Sequence, residues 1–143
     1  MTLPTQHDLA KLPHLFQVRY ALYAATQVAH LATLPEAATC LRVVEAYLDG
    51  KASKEDCRVA TRATAYAAAV AAYADAATRA AFYAAYAAAY ANAVYAAAAA
   101  YSANAAADAA YSKKTKLDLV KDLRRHYEEL LNFDAISESY LLG

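Results

Sequence analysis

The stretch that decides the fold runs from Ala80 to Tyr101 and reads AAFYAAYAAAYANAVYAAAAAY, without a charged residue, a glycine or a proline. Alanine has the highest intrinsic helix propensity, and it fills most positions from Ala60 to Ala110. Disordered segments are rich in charge or proline and poor in aromatic residues, which is the opposite of this tract. The tract is therefore predicted to be helical.

One stripe of the tract carries almost no side-chain bulk when residues are placed at about 100° per position. A helix of this kind can approach a neighbouring backbone more closely than the usual spacing of roughly 8–10 Å. Dispersion and the exclusion of water would then stabilise the contact. We expect this stripe to be a helix seam or a partner-binding surface, and it consists of Ala80, Ala84, Ala87, Ala91, Val94 and Ala98.

Tyrosines lie on both sides of the alanine stripe. Because a tyrosine joins an apolar ring to a polar hydroxyl, such residues suit a core, a protein interface or the wall of a pocket for a planar ligand. The three interpretations stay open at this point. The candidate residues for an aromatic contact or pocket are Tyr83, Tyr86, Tyr90, Tyr95 and Tyr101.

A membrane span is a poor interpretation of the same stretch. Phe82 and Val94 are its only strongly insertion-promoting residues, and each contributes roughly −0.3 to −0.6 kcal/mol. Asn92 and the tyrosine hydroxyls would need hydrogen-bond partners in hydrocarbon, at a greater cost. We therefore expect no membrane partner.

The N-terminal part of the chain is predicted to form a helix pair. Apolar residues recur every three or four positions in HLFQVRYALYAATQVAHL, which is typical of one face of a helix. Pro35 suits the first turn of a second helix, because its missing N–H has no partner to lose there. Asp49–Gly50 supplies a stop, so this helix is expected over about residues 35–48.

Helix-start signals lie before and after the tract. Ser53 and Asp56 have the spacing of a capping box, and Thr115 and Asp118 repeat it before the amphipathic segment LDLVKDLRRHYEELL. A last short helix is predicted to begin behind Asp134. We expect one all-helical domain over residues 1–143, with a helix pair at 1–50, the Ala/Tyr-rich tract at 53–112 and amphipathic helices at 115–143.

The length of the tract conflicts with the size of the chain. About 50 continuous helical residues span ~75 Å, whereas a compact domain of 143 residues has a radius of gyration of ~15 Å. Either the helix breaks, at Asp75–Thr78 or Ser102–Asn104, whose side chains can cap a helix, or the molecule is elongated and oligomeric. We predict an all-α helical bundle around a long Ala/Tyr-rich helix, elongated, with a break near Ser102.

The charges are balanced, with fourteen basic and fourteen acidic residues. A formal net charge of zero argues against nucleic acid or an anionic membrane as the main partner. Asp75 and Arg79 are expected to form an i, i+4 ion pair inside the tract. The chain opens without a recognisable signal peptide, and its two cysteines, Cys40 and Cys57, suit buried free thiols, so we expect a cytoplasmic location.

Candidate catalytic or metal-binding groups are few. Asp122, His126 and Glu129 fall on one helix face, at a spacing that could hold a metal or an acid–base pair. The surrounding charges favour a solvated helix face instead. The basic run from Lys113 to Arg125 is diluted by acidic residues, which favours the same interpretation over base stacking and phosphate binding. We predict no enzymatic activity, no metal and no cofactor.

A resemblance suggests a function. The segments RYALYAATQVAHL and CLRVVEAYLDGKASKEDCRVATRATAYAAAVAAYA, followed by alternating alanine and aromatic residues, resemble an uncharacterised family of bacterial and phage proteins, rich in alanine and aromatics, that carry the label immunity protein. The likeness covers about residues 15–112. It implies binding and neutralisation of a partner protein, and it implies no particular site residues.

We therefore expect a non-enzymatic cytoplasmic binding protein that inhibits or neutralises a protein partner, in an immunity or phage anti-defence role, through a helical Ala/Tyr surface. The alternative is a protein that sequesters a small molecule or nucleotide in a Tyr-lined pocket. A third hypothesis is a self-assembling structural protein, since alanine seams between copies need not close. A homo-oligomer is expected as well.

Overall fold

The computed structural model describes residues 2–71, 75–90, 94–110 and 113–142, with their side chains except at 70–71, 94–96, 113–114 and 134–142. These residues form α-helices and one short 3-10 helix, Ala29–Leu31, and contain no strand. The predicted all-α helical bundle is confirmed. The helices are α1 (Gln6–Leu9), α2 (His14–Gln27), α3 (Glu36–Leu48), α4 (Lys54–Ala71), α5 (Ala76–Ala89), α6 (Val94–Ala109) and α7 (Lys113–Leu142).

Local signals set the helix boundaries in the first half of the chain. α3 matches the helix predicted at about 35–48 and ends before Gly50, which adopts the left-handed conformation at φ 75° that glycine tolerates without strain. α4 begins at the predicted capping box. The Ser53 N–H donates to Asp56 Oδ2 at 2.8 Å, and the Asp56 N–H donates to Ser53 Oγ at 3.1 Å.

The Ala/Tyr-rich tract is not one long helix. It is divided among α4, α5 and α6, and α5 and α6 pack against each other, so the tract folds back on itself. The break lies at Asp75–Thr78, the other of the two places considered, where Asp75 Oδ1 accepts the Thr78 N–H at 2.8 Å as the N-cap of α5. The expected ion pair with Arg79 does not form, since the same carboxylate also accepts hydrogen bonds from the N–H and hydroxyl of Thr33.

The predicted break near Ser102 is wrong. Ser102 is fully buried inside α6, and its hydroxyl lies 2.8 Å from the carbonyl oxygen of Ala80 and 3.1 Å from that of Ala21. A serine hydroxyl can cap its own helix or bond to a backbone carbonyl. Here the carbonyls belong to the neighbouring α5 and α2, so Ser102 ties three helices together.

The C-terminal helix also departs from the prediction. α7 starts at Lys113 rather than behind Thr115, and it continues to Leu142 instead of restarting behind Asp134. Since this segment contains neither proline nor an internal glycine, it lacks the residues that most strongly end a helix. The capping pattern at Thr115 and Asp118 therefore falls within the first turns of α7.

The core has two parts, on either side of a central layer formed by α2, α5 and α6. Leu9, Tyr20 and Leu123 bring α1, α2 and α7 together on one side. Val44 of α3 and Cys57 of α4 contact the alanines of α5 on the other. Within the described part of the chain, no helix combines the length and apolar character needed to span a membrane.

Candidate interaction surface

The described part of the predicted alanine seam lies inside the bundle. Ala80, Ala84 and Ala87 of α5 are fully buried, and Ala98 of α6 is 2% exposed. Ala91 and the side chain of Val94 lie outside the residues that can be described. The seam is therefore occupied by the chain's own helices, whereas the aromatic side of α5 is partly exposed.

That uncovered side carries four rings in mutual contact. Phe82, Tyr83, Tyr86 and Tyr90 are all half-buried. The ring centroids of Phe82 and Tyr83 are 5.3 Å apart, those of Phe82 and Tyr86 6.0 Å, and those of Tyr86 and Tyr90 4.4 Å. These spacings fall close to or within the range at which aromatic pairs attract one another. The rings consequently hold each other in place along the helix.

The neighbouring helices extend this surface at both ends. Tyr101 of α6 is 52% exposed, and its ring centroid lies 5.4 Å from that of Tyr83. At the other end, the Arg58 guanidinium of α4 lies 5.8 Å from the Tyr90 ring centroid, in a cation–π arrangement. The side chain of Tyr95 lies outside the described residues. We call Phe82, Tyr83, Tyr86, Tyr90 and Tyr101 the aromatic row.

The exposed face of α4 carries two further large side chains, which the sequence interpretation missed. Val59 is 55% exposed and Tyr66 is 74% exposed. Arg62, between them, pairs with Glu55 at 3.3 Å. The spacing of Val59 and Tyr66, two helical turns apart, was visible in the sequence, but alanines fill the other faces as well. Pattern alone thus gave no reason to place these two side chains outward.

The pocket interpretation of the tyrosines is weakened by size. A cavity beside Phe82 and Tyr83 has a volume of about 180 Å³, whereas ligand sites typically measure roughly 300–1,000 Å³. Tyr86, Tyr90 and Tyr101 do not line this cavity. This cavity is therefore too small for a nucleotide, and the aromatic row contributes only Phe82 and Tyr83 to it.

The predicted acid–histidine constellation on α7 contacts α2. Asp122 accepts a hydrogen bond from the Tyr23 hydroxyl at 2.5 Å and forms an ion pair with Arg125. The His126 ring stacks on Tyr23 at 4.1 Å between centroids, and its Nδ1 lies 4.0 Å from Glu129. Burial lowers the pKa of His126. Among the residues that the structure describes, no three His, Cys, Asp or Glu side chains are arranged so that they could hold a metal ion.

The two thiols are poor nucleophiles in their surroundings. Cys40 and Cys57 are both fully buried, and Cys40 Sγ lies 2.9 Å from Thr64 Oγ1. Burial raises the pKa of Cys40, and burial together with the nearby Asp56 carboxylate raises the pKa of Cys57 to about 11. A reactive thiol needs a lowered pKa and access to a substrate. Neither condition holds for these cysteines.

The basic run at the start of α7 is partly neutralised. Lys116 pairs with Asp108 at 3.8 Å, Arg124 pairs with Asp8 at 3.9 Å, and Arg125 pairs with Asp122. The side chains of Lys113 and Lys114 lie outside the described residues. The first two pairs connect α7 with α6 and α1, so Lys116 and Arg124 contribute to contacts within the chain.

Comparisons of the chain with models of protein families, with curated proteins and with solved structures give no match.

Proposed function

We propose that the chain is a non-enzymatic binding protein that inhibits or neutralises a partner protein through the aromatic row and the exposed face of α4. One observation carries the proposal. The aromatic row brings large apolar rings to the surface of α5 and α6, and these rings contact one another and Arg58. Tyrosine and arginine are enriched among the residues that dominate binding energies at protein interfaces.

The shape of the surface supports a protein partner over a small one. Half-buried rings that hold each other in place lose little conformational entropy when a partner covers them. The aromatic row itself runs from Tyr90 along α5 to Tyr101 of α6, so a ligand that touched all of its rings would have to span two helices. A protein surface meets that requirement.

The remaining parts of the proposal follow from the sequence. The immunity or anti-defence role follows the resemblance to the bacterial and phage family. A cytoplasmic location and a homo-oligomeric state belong to the same proposal, and the formal net charge of zero means that copies of the chain do not repel one another at long range.

Affinity capture from a bacterial lysate, with three forms of the chain, tests the proposal. The parent should retain a defined protein, and the double variant Tyr86→Ser, Tyr90→Ser should retain at least about tenfold less, because losing two hot-spot rings costs more than 1.4 kcal/mol. Leu117→Ser is the control. Leu117 is an exposed apolar residue on α7, 48% exposed, and its variant should bind like the parent.

The captured protein should then lose activity when the purified parent chain is added, and keep it when the double variant is added. Retention of a small molecule and of no protein, detected by mass spectrometry, would instead favour the ligand-sequestering alternative. Equal capture by all three forms would refute a role for the aromatic row.

A further inference from the structure

A small cavity of about 180 Å³ lies between α4 and α5, beside Phe82 and Tyr83 of the aromatic row. α4 contributes Thr64, Ala65 and Ala68 to its lining. Ala65 is exposed and Ala68 is half-buried. The cavity therefore opens to the surface past side chains no larger than a methyl group, which leaves room for an incoming side chain.

The two threonines in the lining already donate their hydroxyl hydrogen bonds inside the chain. Thr64 Oγ1 lies 2.9 Å from the carbonyl oxygen of Ala60, to which it donates. Thr78 Oγ1 donates to Asp75 Oδ2 at 2.9 Å. Both threonines are buried. The cavity consequently offers methyl groups and ring faces, so an apolar group can enter it without leaving a polar atom unpaired.

The rim of the cavity carries a cation, Arg79. Arg79 lines the cavity and is exposed, and no carboxylate among the described residues forms an ion pair with it. Asp75, one turn earlier on the chain, is engaged by Thr33 and Thr78. A guanidinium in this position can take a carboxylate from another molecule through two parallel hydrogen bonds.

We propose that this cavity anchors the partner protein by taking one aliphatic side chain, a leucine or a methionine, from a segment that also presents a carboxylate to Arg79. The inference rests on the proposed function, because it specifies what the partner brings to the same surface. The small volume fits a single side chain better than a nucleotide. Arg79 adds the charge complementarity.

N-acetylleucine is the minimal probe, since it joins an isobutyl side chain to a carboxylate. We expect titration into ¹⁵N-labelled protein to give millimolar binding, with the largest amide shifts at Ala65, Ala68 and Arg79. N-acetylleucine amide lacks the carboxylate and should bind about three- to tenfold more weakly. N-acetylglycine lacks the side chain and should give no measurable binding. Equal shifts with all three probes, or shifts centred elsewhere, would overturn the proposal.

Matched variants locate the probe. Ala68→Leu fills the cavity with the chain's own side chain and should abolish binding of N-acetylleucine, whereas Ala69→Leu, at the adjacent exposed position, should bind like the parent. Leucine and alanine have similar helix propensities, so both variants should keep the fold, which circular dichroism checks. Arg79→Gln should weaken the binding of N-acetylleucine about three- to tenfold and leave the binding of N-acetylleucine amide unchanged. If Ala68→Leu misfolds, the test depends on Arg79→Gln alone. Binding of N-acetylleucine by Arg79→Gln as tight as by the parent would then refute the proposal.

Failure of this inference can be told apart from failure of the proposed function. If the parent captures and inhibits a partner, and Ala68→Leu and Arg79→Gln do so equally well, the cavity is not the anchor although the surface still binds a protein. If the parent captures no protein, the proposed function fails. Direct binding of N-acetylleucine at the cavity would still stand as a separate result.

Discussion

The pair α5 and α6 and the long helix α7 belong to one bundle, but different kinds of side chain hold them there. α5 and α6 are buried almost entirely through alanines, such as Ala84 and Ala103, which are 0% exposed. α7 is attached through a few large residues, chiefly Leu123 and Tyr127, which are 0% and 3% exposed. The Tyr127 hydroxyl also donates to the carbonyl of Asp8 at 2.9 Å.

The difference predicts opposite sensitivities to mutation. A contact made of small side chains brings backbones close together, so an added side chain has no space to enter. A contact made of large side chains leaves a cavity when one of them is shortened. Enlarging a buried side chain should therefore destabilise the packing of α5 and α6, whereas shortening one should destabilise the attachment of α7. The predictions below test this contrast, from the largest expected effect to the smallest.

Leu123→Ala should have the largest effect. Leu123 is fully buried between α7 and the core shared with α1 and α2, and truncation of such a leucine lowers the free energy of unfolding by about 2–5 kcal/mol. Urea denaturation measures the loss. Leu117→Ala, on the same helix and 48% exposed, should change the free energy of unfolding by less than about 0.5 kcal/mol. Equal losses would mean that α7 is not anchored through Leu123.

Ala84→Leu should lower the free energy of unfolding by about 1–3 kcal/mol, because the added atoms meet a packed seam. Ala69→Leu, at an exposed position of α4, is the control for helix propensity, and its unfolding should match the parent's. Ala87 and Ala89 lie on nearly opposite sides of α5, because two positions turn a helix by about 200°. Both are nevertheless fully buried. Leucine should therefore destabilise both positions. Thermal melts that coincide for Ala84→Leu and Ala69→Leu would contradict the close-packed seam.

Asp75→Ala tests the polar contacts that fix the start of α5. Burial raises the pKa of Asp75, but hydrogen bonds from Thr33 and Thr78 outweigh it and hold the pKa at about 2, below the ordinary 3.8. At about pH 7 the variant should lose about 0.5–2 kcal/mol of unfolding free energy, as for loss of an N-cap. Chemical denaturation at several pH values measures it.

The pH dependence of Asp75 has a defined sign. Because the folded pKa is lower than the unfolded pKa, the carboxylate stabilises the fold above its ordinary pKa, and this stabilisation is lost as the pH falls from about 4 through about 2. The difference in stability between the parent and Asp75→Ala should shrink over this range. A difference that stayed constant down to about pH 2 would show that the charge of Asp75 is not involved.

Tyr23→Phe should have the smallest effect, since the hydrogen bond from Tyr23 to Asp122 lies at the edge of the α2–α7 contact and is only part-buried. A loss of about 0.5–1.5 kcal/mol is expected. Amide hydrogen exchange should become faster in α7 around Asp122 and remain unchanged in α5. Tyr101→Phe, at a 52% exposed ring, is the control, and faster exchange in both variants would argue against a specific role for this bond.

The candidate surface was only partly predictable. Tyr83, Tyr86, Tyr90 and Tyr101 could be placed together from their spacing, because a helix turns by a fixed angle per residue. Arg58 and Phe82 were not foreseen as members of the same surface. Arg58 reaches Tyr90 from another helix, and no periodicity within one segment specifies which helix lies beside it.

The sequence by itself determined the helical class, the start of α4 at Ser53 and Asp56 and the end of α3 before Gly50. Each of these depends on backbone preferences and hydrogen bonds between residues a few positions apart. Only the tertiary structure decided that Ser102 lies inside a helix and which alanines face the interior. An alanine on every face gives a helix no strongly polar side to turn toward water, and the carbonyls that engage Ser102 come from Ala21 and Ala80, which are distant in sequence.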